Sequence, residues 1–172
     1  TVIDNVTVGA VFGDGSRRRD LTAARRQAEE TLALVGLEGK RDQPVARLNL
    51  QEKKLVDLAR ALAARPELIL IDEVMSGLNP GEVEGCVRLL RRVRDELAVA
   101  IVWVEHVMSA IMSAAERVFV LDYGRVIATG TPGEIANNPA VVQAYLGVTP
   151  PLQGVEQRGA GARAHLAGAD VL

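Results

Sequence analysis

The chain has almost no cysteine: Cys86 is the single one in 172 residues. That excludes a disulfide framework within the chain and fits a reducing compartment. Aromatic residues are nearly as scarce, 3% of a chain that is 48% hydrophobic. The core must therefore be built from Leu, Val, Ile and Ala. Excess charge of either sign is missing as well. A formal net charge of -2 gives no electrostatic case for nucleic acid as a partner. The one basic cluster, Arg17-Arg18-Arg19, reads as the solvated start of a helix. No apolar run approaches the roughly 20 residues of a membrane span. The N-terminus has neither a methionine nor the pattern of a signal peptide. The expectation is a soluble, cytoplasmic chain with one ordinary core. Its start at Thr1, inside an apolar pattern, reads as that of a fragment.

What is present is organised around Leu68-Ile69-Leu70-Ile71-Asp72, with Glu73 directly after. Four branched apolar residues in a row are short for a helix and right for a strand buried on both faces. A parallel strand that delivers two carboxylates at its carboxyl end stands where α/β proteins usually place their chemistry.

Around that strand the pattern alternates. Gly9 to Gly15 reads as loop. Residues 20–35 read as an amphipathic helix, with Leu21, Ala24, Ala28, Leu32 and Val35 on one side and Gly36 as its stop. Residues 37–47, with Pro44, read as a connection. A helix capped by Asn49 runs to about Ala64 with Leu55, Leu58, Ala59 and Leu62 on its apolar face, and Arg65-Pro66 closes it. After Glu73, Asn79 as cap and Pro80 as first residue announce a helix to about Leu97. Val99 to Val104 reads as a second buried strand ending in Glu105 and His106. A short helix over 107–115, a strand from Val118 to Leu121, a turn over 122–125 and a strand from Val126 to Thr129 follow. Small helices start at Thr131-Pro132 and at Pro139. Strand, helix, strand, helix, strand predicts βαβ units and a parallel sheet. The last stretch, 148–172, reads as a disordered tail in which His165 is solvated.

Parallel strands carry their carboxyl ends along one edge, so Asp72, Glu73 and His106 can converge. An Asp there suits magnesium through water, a Glu beside it can orient or deprotonate an attacking water, and a His one strand over can reach a γ-phosphate. In outline this is a phosphoryl-transfer site.

These residues carry a resemblance. Leu68 to Glu73 looks like the Walker B strand and catalytic glutamate of ATP-binding cassette (ABC) ATPases. Ser76-Gly77-Leu78-Asn79 is similar to their D-loop, and His106 to their switch histidine. Leu48 to Glu52 stands where their signature motif belongs, and Leu58 to Leu62 resembles the helix behind it. Thr1 to Val6, Leu121-Asp122-Tyr123-Gly124, Gly130-Thr131-Pro132 and Ala144-Tyr145-Leu146-Gly147 narrow the resemblance to the ATPase subunits of branched-chain amino acid importers.

The resemblance implies an α/β fold: a partial P-loop-NTPase-like parallel sheet flanked by helices, with a helical signature subdomain on its N-terminal side. Residues 1–65 would be that subdomain, 66–130 the core part, and 131–147 the C-terminal helical segment. It implies ATP and magnesium as cofactors, with Asp72 holding magnesium through water, Glu73 polarising the hydrolytic water and His106 sensing the γ-phosphate. Asn49, Leu50 and Gln51 would face nucleotide on a partner subunit, and Ser76 and Asn79 would act across the dimer. The implied partners are a second ATPase subunit, in a homo- or heterodimer, and membrane-spanning permease subunits, with the chain peripheral on the inner face of the cell membrane.

Three departures qualify the match. No G-x-x-x-x-G-K-[ST] loop occurs, and that loop supplies the phosphate-cradling amides, a lysine and a magnesium ligand. The signature has Asn49 and Gln51 where the family has serine and glycine. Val74 replaces the usual proline. The chain alone is therefore expected to bind ATP weakly and not to hydrolyse it. A degenerate, non-catalytic assembly or regulatory module is the competing expectation. A DNA-repair or chromosome-maintenance ATPase is disfavoured by the charge and by the lack of a long coiled coil.

Overall fold

The computed structural model describes residues 1–13 and 20–146. The expected tail, His165 and the arginine cluster lie outside the described residues.

Helix α1 spans Val2–Phe12 and starts on a capping box in which Thr1 and Asp4 satisfy each other's backbone amides. This corrects the loop expected from Gly9: residues 9–12 are helix. The glycines serve close approach, not a turn. A Cβ on Gly9 would be driven into the Arg60 carbonyl, and one on Gly13 into the Ala64 side chain. Helix α2, Leu21–Leu34, is capped by Asp20 and packs on α1. Gly36 follows at φ 77°, in the left-handed conformation that glycine adopts without strain. Two 3₁₀ turns, Glu38–Lys40 and Val45–Arg47, occupy the expected connection. Helix α3, Leu50–Leu62, starts on a capping box of Asn49 and Glu52. Val2, Ile3, Val6, Ala28, Leu32 and Ala59 are fully shielded between these three helices.

Strand β1, Leu68–Asp72, pairs in parallel with β2, Ala100–Val104, as Leu68 to Ala100 through Asp72 to Val104. Helix α4, Pro80–Leu97, connects them from the Asn79 cap and covers one face through Cys86, Val87, Leu89, Leu90 and Val93. Neither strand is buried on both faces. Ile69 and Ile71 are inside, whereas Leu68 and Leu70 are 51% and 74% exposed and Val102 and Val104 more than half exposed. The apolar run is what two-sided burial requires, but among the described residues only one side is covered.

The chain continues through α5, Met108–Ala114, into β3, Val118–Asp122, and β4, Arg125–Gly130. β3 does not extend the parallel sheet, as the strand–helix alternation predicts. It pairs antiparallel with β4 in a separate two-stranded sheet. Tyr123 and Gly124, at φ 43° and 76°, form the turn between them. Two successive left-handed residues match the twist of a hairpin, so the next strand pairs locally. Helices α6, Pro132–Ala136, and α7, Pro139–Leu146, close over it, with Val118, Val120, Ile135 and Val141 as a small second core. The whole is an α/β arrangement, and β1–β2 is the sheet that positions the candidate chemistry.

Candidate functional site

Glu73 leaves β1 in a left-handed conformation at φ 45°, which costs a non-glycine residue roughly 1 kcal/mol. Its neighbours hold it there. Its N–H donates to the Val104 carbonyl at 2.9 Å, and its own carbonyl accepts from the Ser76 amide at 3.2 Å. Lys54 Nζ, reaching over from α3, donates to the same carbonyl at 3.2 Å. The turn brings the Glu73 carboxylate over the end of β2, where Oε1 lies 3.8 Å from His106 Nδ1. Both side chains are more than half exposed. Asp72 stands beside them, also exposed, and its carboxylate makes no hydrogen bond or ion pair among the described residues. The parallel pairing thus gathers Asp72, Glu73 and His106 at one sheet edge.

The other candidates lie around this edge. Ser76 is exposed in the turn, and Asn79 caps α4 with its side chain, Oδ1 accepting from the Glu82 amide at 3.0 Å. Leu50 is near the turn: a Cβ added at Gly77 would sit 3.1 Å from its Cδ2. Asn49 and Leu50 are exposed at the start of α3, and Gln51 is half-buried. The start of that helix is held by its capping box. Asn49 Oδ1 accepts from the Glu52 amide at 2.9 Å, and Glu52 Oε2 accepts from the Asn49 amide at 3.0 Å. The Glu52 carboxylate is itself paired with Lys40. Hydrogen bonding to Lys40, and then to the Asn49 amide, holds its carboxyl below the usual range.

Sequence reasoning passed over Glu105. Its side chain is fully shielded. Oε1 accepts from the Met75 amide at 2.7 Å and Oε2 from the His106 amide at 3.2 Å. The parity of β2 places Glu105: Ile101 and Trp103 face inward, and so does the residue two further on, an alternation that the all-apolar run of β2 does not display in the sequence. Cys86 is not a nucleophile. Burial, then the charge of Glu105, pushes its thiol up to about 11, so it stays protonated.

The described residues hold no cluster of three or more His, Cys, Asp or Glu able to bind a metal ion. Asp72 alone suits an ion that arrives with a phosphate ligand and keeps most of its water. Asp72, Glu73 and His106 thus stand together as residue types suited to activating water beside a phosphate. No loop in the sequence has the composition of the phosphate-cradling side.

The chain also resembles known proteins over most of its length. A family profile described as "Branched-chain amino acid ATP-binding cassette transporter" matches residues 125–149. The chain is 36% identical over 161 residues to a sulfate/thiosulfate import ATP-binding protein of Cucumis sativus, covering 92% of this chain and 46% of the relative. It is 33% identical over 132 residues to the high-affinity branched-chain amino acid transport ATP-binding protein LivG of Escherichia coli K12, covering 77% of this chain and 52% of the relative. Its fold aligns with cbiO1 of Clostridium perfringens, part of the ABC transporter complex cbiONQ, at a TM-score of 0.72 and 28% identity, over 86% of this chain and 58% of that one. The chain spans about half the length of the curated relatives it matches.

Proposed function

Since the chain belongs to the ATP-binding subunits of ABC transporters, matching their C-terminal portion and resembling those of branched-chain amino acid importers, we propose that it serves ATP-driven import of an amino acid, of the branched-chain type. The observation that carries this is the approach of Glu73 to His106, 3.8 Å apart across two parallel strand ends. In this reading Glu73 accepts a proton from, or orients, the attacking water. His106 contacts the γ-phosphate, and Asp72 holds magnesium through water. Magnesium, when bound with ATP, supplies the charge that the leaving phosphate needs. Asn49, Leu50 and Gln51 face nucleotide held by a second ATPase subunit, and Ser76 and Asn79 lie where the turn meets that subunit. Residues 1–65 act as the signature subdomain, 66–130 as the catalytic part and 131–147 as the C-terminal segment. Permease subunits complete the assembly at the inner face of the membrane. No helix among the described residues is long and apolar enough to cross it.

In the same reading this chain by itself binds ATP weakly and does not turn it over. Asp72 and Glu73 act only on a nucleotide held in place, and no P-loop of this chain holds one. Calorimetry with magnesium and ATP, with phosphate release read in parallel, tests this. Weak binding and no turnover are expected; micromolar binding with turnover sinks it. A second reading, a non-catalytic assembly or regulatory module, has one observation in its favour: a carboxylate, Glu52, stands at the start of α3, bonded to the Asn49 amide and paired with Lys40. The coding sequence upstream of Thr1 separates the two. An in-frame P-loop supports the ATPase, and a start codon supports the module.

A further inference from the structure

We propose that Glu105 is a positioning residue: its carboxylate clamps the Glu73–Ser76 turn to the strand end that bears His106, and so sets how Glu73 and His106 face each other. The functional consequence rests on the reading of those two as the catalytic pair; the clamp itself rests on geometry alone.

A fully shielded carboxylate is unfavourable unless its lone pairs are used. Here they are used across two segments. Oε1 takes the Met75 amide at 2.7 Å, and Oε2 takes the His106 amide at 3.2 Å. Met75 N–H has no other acceptor among the described residues. The carboxylate is thus the tie between the middle of the turn and the residue after β2. The start of the turn is tied separately, by Val104 and Lys54 at the two backbone groups of Glu73. Without Glu105 the middle of the turn would keep the Met75 side chain in the core but lose its hydrogen-bonded tie to the strand end. The left-handed φ of Glu73 would then have less around it to maintain it. An amide in place of the carboxylate does not serve. Two N–H donors converge on the group, and glutamine offers one acceptor oxygen and an NH₂. Glu105→Gln therefore keeps the shape and breaks one tie.

The test uses the whole isotopically labelled chain without nucleotide, so a failure here is distinct from a failure of the ATPase reading. In E105Q, exchange of the Met75 and His106 amides rises about tenfold or more, while the Ala59 and Val93 amides in the helical core stay within about twofold of the parent. The second readout is the His106 ring resonance. Glu73→Gln moves it in the parent, and in the E105Q background that response falls by about half or more. Unchanged exchange at Met75 and His106 overturns the proposal. So does a uniform rise at all amides with the His106 response intact, which marks a merely structural carboxylate. Should E105Q not fold, E105D is read in the same way: with one methylene fewer it reaches one donor, and the same local rise is expected. If the clamp is demonstrated yet Glu73→Gln leaves turnover untouched in an assembly that hydrolyses ATP, the ATPase reading falls and the clamp stands.

Discussion

The helical part, α1 to α3, and the β1–β2 sheet are built from the same few aliphatic residues, yet they differ in how completely those residues are covered. Leu32 and Ile3 have helices on every side. Leu70, as apolar as either, is 74% exposed, because α4 covers only the opposite face of the sheet. The helical part shares one core with the inner face of the sheet and leaves only scattered apolar residues such as Val8 and Leu21 more than half exposed, whereas the outer face of β1 and β2 is open along its length. The candidate chemistry sits at the end of the sheet that is half covered.

The largest test of this difference is Leu32→Ala. Removing a fully shielded leucine is expected to cost about 3 kcal/mol, read in urea by the fluorescence of Trp103, the single tryptophan. Leu70→Lys is expected to change stability by less than about 0.5 kcal/mol and to reduce self-association in sedimentation, because it interrupts an exposed apolar face. A cost for Leu70→Lys equal to that of Leu32→Ala would break the comparison. It would mean that the face is covered in solution.

Next in size is Gly9→Ala. The added methyl has the Arg60 carbonyl in its way, so α1 and α3 must move apart at a cost of about 2 kcal/mol. Gly133→Ala, in α6 with nothing within 4 Å, is expected to be neutral or to gain up to about 1 kcal/mol. Thermal unfolding of the two variants sharpens the contrast between a packed glycine and a free one. A smaller effect is expected on the sheet side from Asn79→Ala, about 1 kcal/mol for the loss of the α4 cap. Asn79→Asp, which caps equally well, should restore it.

These cases also show what was readable in advance. The caps Asn49, Asn79 and Thr131 were legible because capping is local: an acceptor side chain and a glutamate three residues on suffice. The parallel pairing that gathers Asp72, Glu73 and His106 was legible from two apolar runs around a long helix. Gly9 and Gly13 were not. A glycine that opens a turn and one that admits a neighbouring helix are the same letter, and only the position of Arg60 and Ala64 separates them. The exposed face of β1 was missed because an apolar run reports what a strand needs, not what covers it. The turn over 122–125 was legible because it is local, whereas the separation of β3–β4 from the parallel sheet was missed because strand order is a long-range property. Glu105 looked like a polar strand end, since its burial depends on Met75 folding back from a different segment.

The smallest expected effect lies within the helical part, at Glu52. Its carboxyl is held below the ordinary value of 4.5 by Lys40 first and the Asn49 amide second. A carboxylate with a lowered folded pKa binds fewer protons folded than unfolded over the interval between the two values. Its stabilising contribution is therefore complete above about pH 4.5 and is lost as pH falls through the folded value. Lys40→Met removes the larger cause, so the acid limb of stability, followed by Trp103 fluorescence between about pH 3 and 5, should flatten. The neutral-pH value should fall only slightly, as is usual for ion pairs that retain solvent access. A K40M chain with an unchanged acid limb would show that the Asn49 amide alone sets the Glu52 carboxyl. The start of α3 would then be fixed by its own capping box, without help from Lys40.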